Sequence, residues 1–331
     1  MANEVAAQHV VWATLALVQL SYCIWHVLAK TALLAGVHPL ILAFYREILA
    51  LSCMYALAFK LDGELPWARF ERRRLPIYLA MGLLSFGNIV GFIIALNFVT
   101  TFNSALLHPS IPVFAAVFAW SVGAERMTPT KASGVAVCAL GALVTVAWGA
   151  ADGSDESSTE ANGAGDHVLL GNFILLLQCA CMAGLLVTSQ RELRRGVPPT
   201  TLTARYYSLG AVLTWLVCLA AIPPWGSSSE DGSAHASGYR IALTTPSALV
   251  AIAYGGCVSV TFVYCALAWA TKQSSPTTAA LSMTLQPPLN AVLSVSSQYQ
   301  LLELSIYSIS IPELFPFFFQ WIDRCYASFF E

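Results

Sequence analysis

RRRLPIYLAMGLLSFGNIVGFIIALNFV, residues 72–99, decides the fold. Three arginines are followed by a stretch, 76–98, without one charged side chain. About 20 apolar residues suffice to cross about 30 Å of hydrocarbon, so 76–98 reads as a membrane span. Arg72-Arg73-Arg74 is most simply its positive anchor on the cytoplasmic side; binding of anionic lipid is the sharper alternative.

The same alternation runs along the chain. Apolar segments at 10–29, 39–59, 76–98, 104–123, 132–149, 167–188, 203–222, 246–270 and 276–296 read as nine spans. Of 331 residues, 57% are hydrophobic and 10% charged, against about 25% charged in soluble domains. A water-soluble fold could not hide that much apolar surface. With the N-terminus cytoplasmic, Lys60, Arg69, Arg72, Arg73, Arg74, Arg126, Lys131, Arg191, Arg194, Arg195 and Lys272 all fall in inside loops, and only Lys30 and Arg240 fall outside. Positive residues in short loops set orientation, so this threading is expected. The fold class is an all-α polytopic membrane protein.

The stretch Ala151–Asp166, acidic and rich in Gly and Ser, reads as an external flexible linker between two halves. Five spans precede it, so similarity between the halves would be an inverted repeat, an architecture of secondary transporters. A trace is present: Ala95-Leu96, Thr100, then Pro109 and Pro112 are echoed by Ala266-Leu267, Thr271, then Pro287 and Pro288.

Several function classes drop out. No basic domain suggests nucleic acid. The nine cysteines mostly sit in apolar stretches without CxxC pairs and His, and read as small buried hydrophobes. Val10–Leu28 lacks a basic leader and cleavage site, so it reads as a first span and not a removable signal. The chain has no phosphate-cradling Gly-rich loop, HExxH or GxSxG, so no enzyme, ATP-driven cycle, metal or cofactor is expected.

Polar groups at membrane depth are costly and suggest function where they face a cavity. Arg46 is either a substrate or gating charge, or a structural residue that snorkels or pairs with another helix; Glu47 beside it is about 100° away and should not face it. His108 precedes Pro109, whose missing N–H frees the carbonyl of Ala105, so a polar ligand could meet imidazole and backbone together. A core histidine is the competing reading. Gln286 before Pro287-Pro288 repeats that arrangement, and the two are expected to face each other, half-buried. Asn88, between Gly87 and Gly91, either binds substrate or bridges helices; the Gly-xxx-Gly spacing itself reads as helix packing. Gln178, Tyr264, Gln19 and His26 are weaker candidates. Asn97 and Asn103 read as helix-end caps.

Local strings, taken in order, resemble a known family. They are Phe44-Tyr45-Arg46-Glu47 opening a Leu-rich second span; Ser104-Ala-Leu-Leu-His108-Pro109-Ser-Ile-Pro112-Val-Phe; Glu125-Arg126 with Gly134 and Gly141; Ala268-Trp269-Ala-Thr-Lys272 with Ser275-Pro276; and Leu285-Gln286-Pro287. They are similar to the EamA-type members of the drug/metabolite transporter superfamily, most closely the plant nodulin-like, Walls-Are-Thin-related permeases, over residues 10–295. The resemblance implies ten helices in two inverted repeats of five: 10–149 and 167–295, joined by the linker at 150–166. It also implies transport of small organic solutes such as amino acids or auxin-like acids by alternating access, in the plasma or vacuolar membrane. Expected partners are membrane lipids and a small-molecule substrate, bound by His108, Gln286, Asn88, Arg46, Gln178 and Tyr264; homo-oligomerisation is left open.

The chain departs from the family after Val295, where the last helix is missing or replaced. Residues 296–331 carry Pro312, Pro316, Glu303 and Glu313, a poor span. A truncated or alternatively spliced product is expected, its aromatic tail in the interface. An inactive isoform is therefore the alternative to a working transporter.

Overall fold

The computed structural model describes residues 2–68, 70–124, 127–129, 132–137, 139–141, 164–223 and 238–298. All regular structure among them is helical: α1 (Ala2–Leu34), α2 (Pro39–Asp62), α3 (Leu75–Ala95), α4 (Thr101–Leu107), α5 (Ser110–Ser121), α6 (Ala164–Leu193), α7 (Pro199–Ala221), α8 (Pro246–Tyr254), α9 (Val263–Gln273), α10 (Pro276–Leu281) and α11 (Gln286–Gln298). A wide π-helical segment, Gly255–Phe262, joins α8 to α9 within one helix, Pro246–Gln273. Helices are the expected answer in lipid, where every backbone N–H and C=O needs an internal partner.

Local chemistry marks the ends. Proline opens α2, α7, α8 and α10, where its missing N–H costs nothing. The His38 imidazole accepts a hydrogen bond from the Leu40 amide, and Gly63 closes α2 with φ 72°, a left-handed conformation that glycine adopts without a Cβ clash.

Seven helices of the described residues are long and apolar enough to cross a membrane, from Gln8–Leu34 to Pro246–Gln273. Lipid-facing side chains such as Leu79, Leu83, Phe173, Leu177 and Leu216 are exposed on them. The chain is thus a polytopic membrane protein. The nine expected spans are not all continuous helices. The fourth breaks at His108-Pro109 between α4 and α5. The ninth is split by a 3₁₀ turn, Ser282–Leu285, because Ser282, Thr284 and the pair Pro287-Pro288 interrupt its apolar run. The fifth is helical at 132–137 and 139–141. Arg69, Glu125, Arg126, Lys131, residues 142–163 with most of the expected linker, and the divergent tail from 299 lie outside the described residues.

The packing exchanges partners between the halves. α6 lies along α3, while α1 lies along α8 and α9. α2 packs on α7, α5 on α10 and α4 on α11. Both broken helices begin on a hydroxyl cap: Thr100 accepts from the Asn103 amide and Ser275 from the Thr278 amide, each at 3.1 Å. Thr271, expected to echo Thr100, lies inside α9 and is bonded to the Leu267 carbonyl; Pro112 and Pro287 follow the Thr100 and Ser275 caps at equal spacing.

One end of the bundle holds the basic loops together. Arg74 reaches Glu192 at 2.9 Å, and Arg195 reaches the same carboxylate at 2.7 Å. Asp62 accepts from the Thr200 and Thr201 hydroxyls, tying α2 to the start of α7. Lys30, expected in a loop, lies within α1; its ammonium donates to the carbonyls of Leu96 and Val99 at the end of α3, as a cation at a helix C-terminus should. Asn103 is no cap either: its side-chain amide donates to Asn172 at 2.9 Å and bridges α4 to α6.

The α2 packing has a direct test. Cys53 Sγ stands 3.7 Å from Cys257 Sγ on the π segment, so a small approach reaches the roughly 2.05 Å of a disulfide. Copper-phenanthroline oxidation in membranes is expected to join them. After proteolysis within residues 142–163, the two fragments should stay together on a non-reducing gel, and separate in the Cys53→Ala variant. Fragments that separate in the unmodified chain would contradict this packing.

Candidate functional site

The six residues singled out in the sequence come from six segments: Arg46 on α2, Asn88 on α3, His108 between α4 and α5, Gln178 on α6, Tyr264 on α9 and Gln286 at the start of α11. All six line one cavity of about 40 Å³. At about 10–15 Å³ per water, it holds about three waters, so a metabolite would require it to widen. Each of the six is buried.

Asn88 is the hub of one side. Its amide nitrogen donates to the Tyr264 hydroxyl at 2.6 Å, and its oxygen accepts from Gln178 Nε2. Close packing permits this: a Cβ on Gly91 would touch Gln178 Cβ at 3.4 Å, and one on Gly87 would meet Cys181 Sγ at 2.8 Å. The Gly87-xxx-Gly91 pair is therefore a packing seam that presses Asn88 against α6.

Gln286 belongs to a second chain of amides. It donates to Gln19 Oε1 at 2.7 Å, and Gln19 donates to the Ser282 hydroxyl at 2.7 Å. Gln19 thus stands behind the cavity as the support of Gln286. Gln286 Oε1 has no hydrogen-bond partner, an acceptor left over beside the lining. Unsatisfied buried polar atoms are rare and call for an explanation.

His108 and Gln286 are fully buried, not half-buried as expected. His108 is a buried, hydrogen-bonded histidine that also lines the cavity. Its Nδ1 donates to the Ser104 carbonyl at 2.6 Å, one residue before the Ala105 carbonyl that Pro109 cannot bond. Because a carbonyl only accepts, this bond fixes the proton on Nδ1 in the neutral ring and leaves Nε2 an acceptor. The ring stacks on His26 at a 5.2 Å centroid distance and meets Phe92 edge-on at 5.9 Å. His26 Nδ1 is also without a partner.

Arg46 and Glu47 overturn an expectation. They do meet: Arg46 Nη2 and Nε donate to the same oxygen, Glu47 Oε1, at 2.7 and 3.2 Å. Adjacent positions point about 100° apart at Cβ, but the long arginine side chain curls round the helix, and lipid-depth burial rewards a pair over two lone charges. The guanidinium lies 4.8 Å from the Trp25 ring centroid, a cation–π contact. Arg46 touches the cavity while Glu47, 0% exposed, sits behind it.

Tyr22 and Trp25 were not foreseen, and both line the cavity from α1 with His26. Their signal was available: Gln19, Tyr22 and His26 fall at i, i+3 and i+7, one polar face of an otherwise apolar helix. Ser259 and Val260 reach the cavity from the π segment. Such widened turns concentrate at functional sites, and here Gly255 lets the backbone approach within 2.5 Å of Trp25, measured from an added Cβ. No cluster of three His, Cys, Asp or Glu able to hold a metal occurs among the described residues.

Residues 10–147 match the model of the EamA-like transporter family, consistent with the resemblance to the EamA-type drug/metabolite transporter superfamily. With the seven apolar helices, that match points to an integral, multi-pass membrane transporter; proteins of this family are transporters and not enzymes.

Proposed function

We propose that this protein carries a small organic metabolite across its membrane by alternating access, with the cavity as the substrate site. The convergence of six polar residues from six segments on one buried cavity carries the reading, because polar groups in lipid persist where they serve a pathway. His108, Gln286, Asn88, Arg46, Gln178 and Tyr264 are its contacts with substrate; amino acids and organic acids are the classes considered.

The halves are read as inverted repeats of five helices. Supporting this, each half packs its first helix on the third helix of the other, the two second helices face each other, and the two broken fourth helices touch. Rocking of the halves against each other opens the cavity first to one side and then to the other. The distribution of Lys and Arg favours a cytoplasmic N-terminus, in a plasma or vacuolar membrane.

The experiment is uptake of labelled amino acids and organic acids by cells or proteoliposomes carrying this chain. His108→Ala should lower uptake at least about tenfold, the loss of one buried contact of about 1.4 kcal/mol, with the protein still in the membrane. His108→Gln keeps a donor for the Ser104 carbonyl and separates binding from helix support. Unchanged uptake in both variants would remove His108 from the site.

A further inference from the structure

We infer that the cavity takes solutes of zero net charge, zwitterionic or uncharged, and that Glu47 sets this selectivity by cancelling the charge of Arg46. The inference rests on the transport reading above and chooses among its substrate classes: carboxylates without a balancing ammonium are excluded.

Among the described residues, Arg46 is the one formally charged residue on the lining, with histidine neutral. A lone guanidinium there would make an anion site, since arginine is always charged and presents a donor fork to carboxylates. It is not alone. Glu47 gives one oxygen to two of its nitrogens at 2.7 and 3.2 Å, and lies fully buried behind it. Seen from the cavity, the pair is a short dipole with no net charge. A solute bearing one net charge would give up its hydration for a site without a counter-ion, which costs heavily in a low-dielectric interior. A zwitterion or a neutral amide gives up less and can align with the dipole.

The other charges near the bundle do not alter this balance. Lys30 is spent on the Leu96 and Val99 carbonyls, Arg74 and Arg195 on Glu192, and Arg205 on the Pro66 carbonyl. None of these residues lines the cavity. What remains free at the lining is neutral: the acceptor Gln286 Oε1, the Tyr22 hydroxyl and His26 Nδ1. With the Trp25 and Phe92 rings as walls, these groups orient a small polar body by hydrogen bonds and stacking without asking it for a net charge.

The test is uptake at pH 7.5 into proteoliposomes of four probes of similar size: glutamine, glutaramide, glutamate and lysine. The unmodified chain should favour glutamine or glutaramide over glutamate and lysine by about tenfold or more. Glu47→Gln keeps an oxygen for Arg46 but leaves its charge uncancelled, and should turn the preference toward glutamate. The double variant R46Q/E47Q restores neutrality and should return the preference to the neutral probes. That return distinguishes charge balance from a structural role, which a double substitution would not repair. Preference for glutamate or lysine in the unmodified chain, or a preference that ignores Glu47→Gln, would overturn the inference while leaving the transport reading standing. Absence of uptake of every probe by folded, reconstituted protein would overturn both.

Discussion

Replacing Arg46 by Ala should cost about 3–5 kcal/mol of stability, the penalty for stripping a buried charge of its partner. The asymmetry of the pair makes this the most damaging single change to the site. Arg46 reaches the cavity, whereas Glu47 has 0% exposure. Without the guanidinium, the carboxylate keeps its burial and loses both donors. The result should be a marked fall in melting temperature of the detergent-purified protein and in the amount retained in membranes. The R46Q/E47Q variant, which removes both charges, should recover most of that loss, because an ion pair replaced by neutral groups is often nearly silent. A single-variant loss below about 1 kcal/mol, the range of solvent-exposed pairs, would mean that water reaches Glu47 and that the pair is not buried as described.

Much of the site was legible for the same reason that this prediction is large. In a chain whose spans lack charge, each polar residue at mid-span stands out, and lipid gives it nowhere to go but inward. Asn88, Gln178 and Tyr264 could therefore be named without knowing that they would bond to one another. Pro109 was likewise visible as a residue that frees a backbone carbonyl, whereas the cap fell to Thr100 and not to Asn103. What the sequence hid depends on reach or on neighbours. Arg46 folds back on Glu47 through side-chain length, which residue spacing on a helical wheel does not capture. The ninth segment read as a span by average hydropathy, yet Ser282 and Pro287 split it. Trp25 is one aromatic among many in the spans, and the approach of Gly255 and Arg46 makes it a wall of the cavity.

A close backbone approach between α3 and α7 also escaped notice, because its two glycines lie on different helices. A Cβ on Gly82 would stand 2.6 Å from Leu209 Cβ and 3.3 Å from the Gly210 amide nitrogen; one on Gly210 would stand 3.0 Å from the Gly82 carbonyl oxygen. The obstacles are backbone and Cβ atoms, which no rotamer change can move. Small residues are how membrane helices come this close, and close approach supplies the dispersion and Cα–H contacts that hold them without a hydrophobic drive. Gly82→Leu should therefore force α3 and α7 apart and cost about 3 kcal/mol, the upper range for overpacking. Gly134→Leu, where an added Cβ meets nothing within 4 Å, should cost less than about 0.5 kcal/mol, as surface changes do. The effect should also reach the cavity. Asn88 lies on α3 less than two turns beyond Gly82, so displacing α3 stretches its bonds to Tyr264 and Gln178 and should lower uptake in whatever Gly82→Leu protein remains folded. Melting temperatures of the two variants in one detergent decide the matter: equal values would show that α3 and α7 do not meet at these glycines.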